Sequence, residues 1–448
     1  MARKSWLPIP HNSHFSLSNL PFGIITTPTS RIPHVAVAIG NYALDLHMFS
    51  SSNGHAAGGF NDLAAIKPYL SVFSQPTLNA FAALGRPLHR QVREYLQDVF
   101  SEDTPYPDIL KLNKGLQAQS LYPLDSIETH MPFHIGDYTD FYAGKNHAYT
   151  VGVLFREPNT ALQPNYTHLP VAYHGRASSV VVSGTPIRRP WGQIIKDSGS
   201  DSDSTPVPVH QPCKRLDFEL ELGAFICRAN DMGEPIPVVQ AHDYIFGYVL
   251  LNDWSARDVQ TWEYVPLGPF TAKNFGTSIS AWVILADALE PFKAKGLENE
   301  HQVLDYLREA DPEKSALDLN LEVDLTTKKG NTYTICRSNG RNLLWSYPQM
   351  IAHHTVTGCP MAVGDLLGSG TISGTREGTQ GCLLEQTQGG RVPITLGHGS
   401  EKEERMYLQD GDTVRLRAWA GGRSGVEKEG ELVGFGDCVG TVMPALQR

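Results

Sequence analysis

Residues 216–227 read LDFELELGAFIC and residues 244–253 read YIFGYVLLND, and these two stretches decide the fold class. Each is a strand-length run rich in apolar and β-forming residues, and the intervening RANDMGEPIP is dense in turn formers. Working outward, VVVSG at 180–184 and AWVILAD at 281–287 repeat the pattern between Gly/Pro turns, with few long helical periods among them. The C-terminal part is therefore expected to be mainly β with minor α. Within it, helices are expected near His301–Arg308 and from Ser346-Tyr347-Pro348, where Ser can cap, Pro can occupy the first turn, and Gly358 can stop the helix. Toward the N-terminus, PFGIITTP (21–28) and HVAVAIG (34–40) read as short strands of a small β-barrel. Two helical patterns follow, one around Leu78, Phe81 and Leu84, the other placing Val92, Tyr95, Leu96 and Val99 on one face. Residues 101–122 read as an extended connection, which puts a domain boundary near residue 120 and divides the chain into 1–120 and 121–448. The polar KDSGSDSDSTPVPVH (196–210) is expected to be a mobile surface loop.

Composition narrows the function classes. A chain of 448 residues with 41% hydrophobic content can bury a large core. Its 37 Lys+Arg against 47 Asp+Glu give a net charge of -10, which argues against a nucleic-acid or anionic-membrane partner and for small molecules. No apolar run reaches a membrane span, and no secretory signal is visible. The cysteines, at 213, 227, 336, 359, 382 and 438, show no C-x-x-C pair and are read as reduced thiols of a cytoplasmic protein. Asn165-Tyr166-Thr167 fits a glycosylation acceptor, which means nothing without a secretory route.

In a strand, Asp217, Glu219 and Glu221 share one face and Phe218 and Leu220 the other. That is either a solvated acidic face or part of a hard-cation site, since Ca²⁺ takes about 6–8 oxygen ligands. Further oxygens are at hand in Asp140, within the aromatic run GDYTDFY, and Asp253, at the polar end of an apolar strand, although such carboxylates also form turns. After Asp253, helical spacing lets Arg257, Gln260 and Tyr264 share one face suited to an oxygen-rich anion, with Trp254 and Trp262 limiting its exposure. A solvated helix face is the alternative. His147 follows a Gly turn in FYAGKNH, where an isolated histidine is more often a surface or structural residue than a catalytic one, and Glu385, read as the end of an apolar strand, is a possible buried partner for a histidine. Gly368, Gly370 and Gly374 have the wrong spacing and context for a dinucleotide site and instead suit close backbone approach to a ligand.

Taken together, TDFYAGKNHA (139–148), LPVAYHGRASSVVVSGTPIRRP (169–190), LDFELELGAF, LNDWSARDVQTWEYVPLGPFTAKNFGTS (251–278), GDLLGSGTISG (364–374) and GFGDCVGTVMPAL (434–446) resemble the fumarylacetoacetate hydrolase family. The resemblance runs in order along nearly the whole chain. It departs at Ala172, where Gly is expected before Tyr-His-Gly-Arg, in a longer polar loop, and in a loosely matched stretch between Trp419 and Leu432. It implies an N-terminal SH3-like β-barrel, a C-terminal mixed β-roll and a homodimer. It also implies Ca²⁺ on Asp140, Glu219, Glu221 and Asp253, and a smaller cation, Mg²⁺, near Asp253, Lys273 and Thr277. An ammonium cannot ligate a cation, so Lys273 would have to contribute its backbone carbonyl. Substrate contacts carry over to Tyr142, Arg156, Gln260, Tyr264 and Thr371, the general base to His147 and its orienting carboxylate to Glu385.

The implied reaction is hydrolysis of a carbon–carbon bond in a β-diketo acid, fumarylacetoacetate plus water giving fumarate and acetoacetate. Arg257, Gln260 and Lys273 would meet the negative charge that develops. The rivals are an acylpyruvate hydrolase or oxaloacetate decarboxylase of the same fold, and a catalytically silent binding scaffold. A silent scaffold predicts a broken constellation, whereas every position is present. A metal-free serine esterase is disfavoured, because the chain contains no G-x-S-x-G elbow.

Overall fold

The computed structural model describes residues 4–51, 58–196, 207–399, 402–422 and 432–447. Near the N-terminus the strands Phe22–Thr27, Ser30–Ile39 and Tyr42–Asp45 form an antiparallel meander. Leu121–Pro123 joins one edge of the sheet and Glu128–His130 the other. Those two edges do not pair among the described residues, so the sheet is open and the expected closed SH3-like barrel is not formed. The reason lies in what covers the sheet. Phe22, Ile24, Val35 and Val37 pack with Phe81, Val92, Leu96 and Val99, while Ile25, Ala36, Ala38 and Ala43 on the other face pack with Ala281 and Trp282. With both faces buried against other elements, the sheet need not curl on itself.

The helix Arg86–Phe100 buries Val92, Tyr95, Leu96 and Val99 as their spacing predicts, and the pattern around Phe81 gives a short helix, Asn79–Ala82. The 101–122 stretch is not wholly extended. It contains the helix Lys114–Ser120, opened by an Asn113 side chain that accepts from the Leu116 amide. A cap of this kind stabilises a polar helix that has no apolar stripe to read. The region of His301–Arg308 holds only a 3₁₀ turn, Asp305–Leu307, with Leu304 left exposed. The helix Tyr347–Thr355 begins as expected, with a full capping box between Ser346 and Gln349, and Gly358 follows it at a φ of 88°.

Beyond residue 132 the chain is mainly β. At its centre, Leu220–Ile226 and Ile245–Asp253 pair antiparallel in an eight-stranded sheet. Leu366–Gly368 lies beside the first of them and Thr277–Ile279 beside the second, and Tyr138–Phe141 runs parallel to Leu366–Gly368. A five-stranded sheet, containing Asn320–Thr326, Thr413–Ala420 and Val433–Met443, shares a continuous apolar core with this one. All six cysteines are free, five of them buried. Most of the polar loop, residues 197–206, lies outside the described residues.

Candidate active site

Four consecutive strands of the large sheet build the cluster, and three of them carry its carboxylates. Asp140 sits opposite Gly368, Glu221 lies on the next strand, and Asp253 ends the strand after that, opposite Thr277. With Glu219, just before the Glu221 strand, they form a buried cluster whose ligand atoms lie within 4.8 Å of one another. The close approach depends on glycine. A Cβ on Gly368 would stand 2.7 Å from Asp140 Oδ1 and 3.1 Å from Glu221 Oε2. The solvated acidic face considered for this stretch is thereby excluded, because Asp217, Glu219 and Glu221 are all buried.

Two cations meet the cluster. Lys273 Nζ lies 2.6 Å from Asp253 Oδ2 and also contacts Glu219, while Arg257 Nη1 lies 2.8 Å from Glu219 Oε1. Burial would raise the Glu219 pKa, but Lys273 and Arg257 outweigh it and hold the group at about 2. Asp140 and Glu221 are on the far side of that compensation. Burial first, then the neighbouring carboxylates, push both well above the usual range. Asp140 Oδ1 and Glu221 Oε1 are buried with no hydrogen-bond partner. Asp253 is held by Thr277 Oγ1 at 3.0 Å and Tyr173 Oη at 2.9 Å, and Glu221 Oε2 accepts from the Gly370 amide at 3.0 Å. A cluster of hard oxygens short of positive charge is what a divalent cation satisfies.

Beside it lies a second buried group. His147, in the first turn of the helix Lys145–Phe155, places Nδ1 2.7 Å from Glu385 Oε2. The same oxygen accepts from Ser373 Oγ at 2.7 Å and Cys382 Sγ at 3.2 Å. Glu385 does not end a strand; it lies in the short helix Leu383–Gln386. The apolar Cys-Leu-Leu run reads as a strand, but the amides of Leu383 and Leu384 donate to Asp217 at 2.8 and 2.9 Å, which turns the chain there. His147 lies within electrostatic range of Glu219, which places the pair beside the carboxylate cluster.

The remaining expected residues divide. The helix Arg257–Glu263 brings Arg257 and Gln260 together, Nη1 to Oε1 at 3.1 Å, and Arg257 Nη2 is buried without a partner. Tyr142 meets the His147 ring edge to face at 5.5 Å. Thr371 is buried, its carbonyl so close to Gly144 that a Cβ there would lie 2.1 Å away. Tyr264 only caps the helix and is 41% exposed, and Trp262 is 43% exposed, so of the two tryptophans only Trp254 is shielded. Arg156 is turned aside, donating to the Thr160 and Ala161 carbonyls. Asp217 leaves the face it was expected to share, because the strand is interrupted at Phe218 and Glu219. Tyr173, Ser373 and Cys382 were not anticipated. The only signal for Tyr173 and Ser373 was that they stand within the motif stretches, and Cys382 lies outside all of them.

A family model described as fumarylacetoacetate hydrolase C-terminal matches residues 138–443, and one described as fumarylacetoacetase N-terminal matches 18–132. The chain is 60% identical to a fumarylacetoacetase of Aspergillus fumigatus over 445 residues and 43% identical to that of Homo sapiens over 447, covering 99% of each chain in both cases. Among solved structures, the fumarylacetoacetate hydrolase of Exiguobacterium antarcticum superposes with a TM-score of 0.51 at 15% identity, covering 95% of this chain and 99% of that one. That likeness concerns the fold alone.

Proposed function

The chain belongs to the fumarylacetoacetate hydrolase family, and from that premise we infer its chemistry. It is a hydrolase that cleaves a carbon–carbon bond of fumarylacetoacetate with water, giving fumarate and acetoacetate, the last step of tyrosine and phenylalanine breakdown. The observation that carries this reading is the juxtaposition of the buried His147–Glu385 pair with a four-carboxylate cluster in which two oxygens lack partners.

The donor set fits a hard cation, with Asp140, Glu219, Glu221 and Asp253 as the residues that would hold Ca²⁺. A Mg²⁺ near Asp253 would rely on the Lys273 carbonyl, since the Lys273 ammonium and the Thr277 hydroxyl already support Asp253. When bound, such a cation fixes the paired oxygens of a β-diketo acid and polarises the carbonyl under attack. The chain's own residues do the rest. Glu385 accepts from His147 Nδ1, which leaves Nε2 as the acceptor for a proton of the attacking water. Arg257, through its unpartnered Nη2, together with Gln260 and Lys273, meets the oxyanion and then the enolate of the departing acetoacetate. Tyr142, Tyr264, Thr371 and Arg156 would hold the substrate's carboxylates and oxygens, Arg156 after leaving its contact with Ala161. We also propose a cytoplasmic homodimer without nucleic-acid or membrane partners. The net charge of -10 disfavours nucleic acid and anionic membranes as partners, and among the described residues no helix is long and apolar enough to cross a membrane.

The test follows the loss of fumarylacetoacetate's enol absorbance before and after stripping metal and restoring Ca²⁺ or Mg²⁺. Metal-dependent loss with equimolar fumarate and acetoacetate is expected. No loss from folded protein under any metal condition would overturn the reading in favour of an acylpyruvate substrate, oxaloacetate or a silent scaffold.

A further inference from the structure

Asp217 is fully buried, and the roles above do not use it. Its four hydrogen bonds join parts of the site that are far apart in sequence. Oδ2 accepts from Arg257 Nε and from the Leu384 amide, both at 2.9 Å. Oδ1 accepts from the Leu383 amide at 2.8 Å and from its neighbour Phe218 at 2.9 Å. Both oxygens are thus engaged, which sets Asp217 apart from Asp140 and Glu221, each of which has an oxygen without a partner. One arm of this network fixes the Arg257 guanidinium from its Nε edge. Nη1 is then directed to Glu219 and Gln260, and Nη2 is left for another acceptor. The other arm holds the backbone immediately before Glu385, whose carboxylate orients His147.

We infer that Asp217 is a positioning residue that locks the charge-stabilising Arg257 and the water-activating His147–Glu385 pair at a fixed separation. The inference rests on the functional reading above and deepens it. The attacking water and the oxyanion it creates share one carbon in the transition state, so the base and the cation serving them must be placed together. A displacement of about 1 Å in such a pair is enough to cost on the order of 100-fold in rate. A group acting through two others lowers kcat while leaving KM, which reports ground-state contacts elsewhere, nearly unchanged.

Asp217→Asn tests this. The amide keeps the size but replaces one acceptor with a donor that faces either Arg257 Nε and the Leu384 amide or the Leu383 and Phe218 amides. A fall in kcat of about 100-fold is expected, with KM changed less than about threefold and Ca²⁺ binding by calorimetry preserved. In Arg257→Gln and Glu385→Gln backgrounds the same substitution should cost only about tenfold, because one arm is already lost in each. If the single variant does not fold, Asp217→Asn/Arg257→Gln, in which neutral isosteres replace the buried ion pair, is compared with Arg257→Gln alone. An equal factor in all backgrounds, or a loss under about threefold, overturns the inference and leaves the functional reading standing. Absence of turnover in the unmodified protein overturns both.

Discussion

The chemistry of His147 is set by one hydrogen bond. A buried imidazole whose Nδ1 meets a carboxylate carries its proton there and presents Nε2 as a base. His147→Ala is expected to lower kcat by about 10²–10⁴-fold, the usual contribution of general-base catalysis, with Ca²⁺ affinity unchanged because the four carboxylates do not involve the ring. Turnover assays beside calorimetry check this, and survival of most activity would reject His147 as the base. At this scale much of the site was legible. Strand alternation placed Glu219 and Glu221 together, and the polar end of an apolar strand located Asp253. What alternation could not give was Asp217, because a two-residue interruption of the strand turns it from the cation cluster to the Glu385 helix. Glu385 itself was found, but in the wrong kind of element, because the hydrogen bonds that bend its segment come from a residue more than 160 positions earlier.

Pairing brings these side chains into range at the level of strands and helices. The strand Leu366–Gly368 lies between those bearing Asp140 and Glu221, and it can do so only because Gly368 has no side chain. Gly368→Ala is expected to push Asp140 and Glu221 apart and weaken Ca²⁺ binding at least about tenfold, while circular dichroism stays close to that of the parent. Retained affinity would show that the cluster can relax around a methyl group. The helix Arg86–Phe100 carries a different liability. His89 Nε2 reaches the carbonyls of Phe81 and Ala82, both at 3.0 Å, and Nδ1 has no partner. Burial, only partly offset by those carbonyls, lowers the His89 pKa to about 4. The unfolded chain, titrating near 6.5, binds the proton more readily. Stability is therefore complete above about pH 6.5 and falls by about 3 kcal/mol by pH 4 from this group alone. Urea denaturation across that range should show the fall, and His89→Gln should flatten it; an unchanged slope in the variant would assign the effect to other groups. The helix was legible from its apolar spacing, whereas Lys114–Ser120 was not, since a side-chain cap and not a buried stripe defines it.

Across the whole molecule, the mainly β character followed from the strand-length runs, but the openness of the N-terminal sheet did not. Closure depends on what lies against the faces. Here Trp282, more than 230 residues beyond the sheet's first three strands, and the helix Arg86–Phe100 cover them. The same long-range assembly concentrates four carboxylates against Lys273 and Arg257 in one buried place, so binding of a metal ion there would be coupled to folding. Without a cation, burial and mutual repulsion bear on Asp140 and Glu221, each with an oxygen lacking any partner. A ligand that binds only the folded state stabilises it by about 2.7 kcal/mol at one hundred times its dissociation constant. Chelation should therefore lower the thermal midpoint by a few degrees, and Ca²⁺ at that excess should restore it. Glu221→Gln should lose most of the shift, because it removes a ligand charge together with one of the repelling carboxylates. It should also melt above the chelated parent, since the neutral amide relieves the repulsion that chelation exposes. A parent midpoint indifferent to both chelator and Ca²⁺ would mean that protonation of Asp140 and Glu221, together with Lys273 and Arg257, satisfies the cluster without a metal.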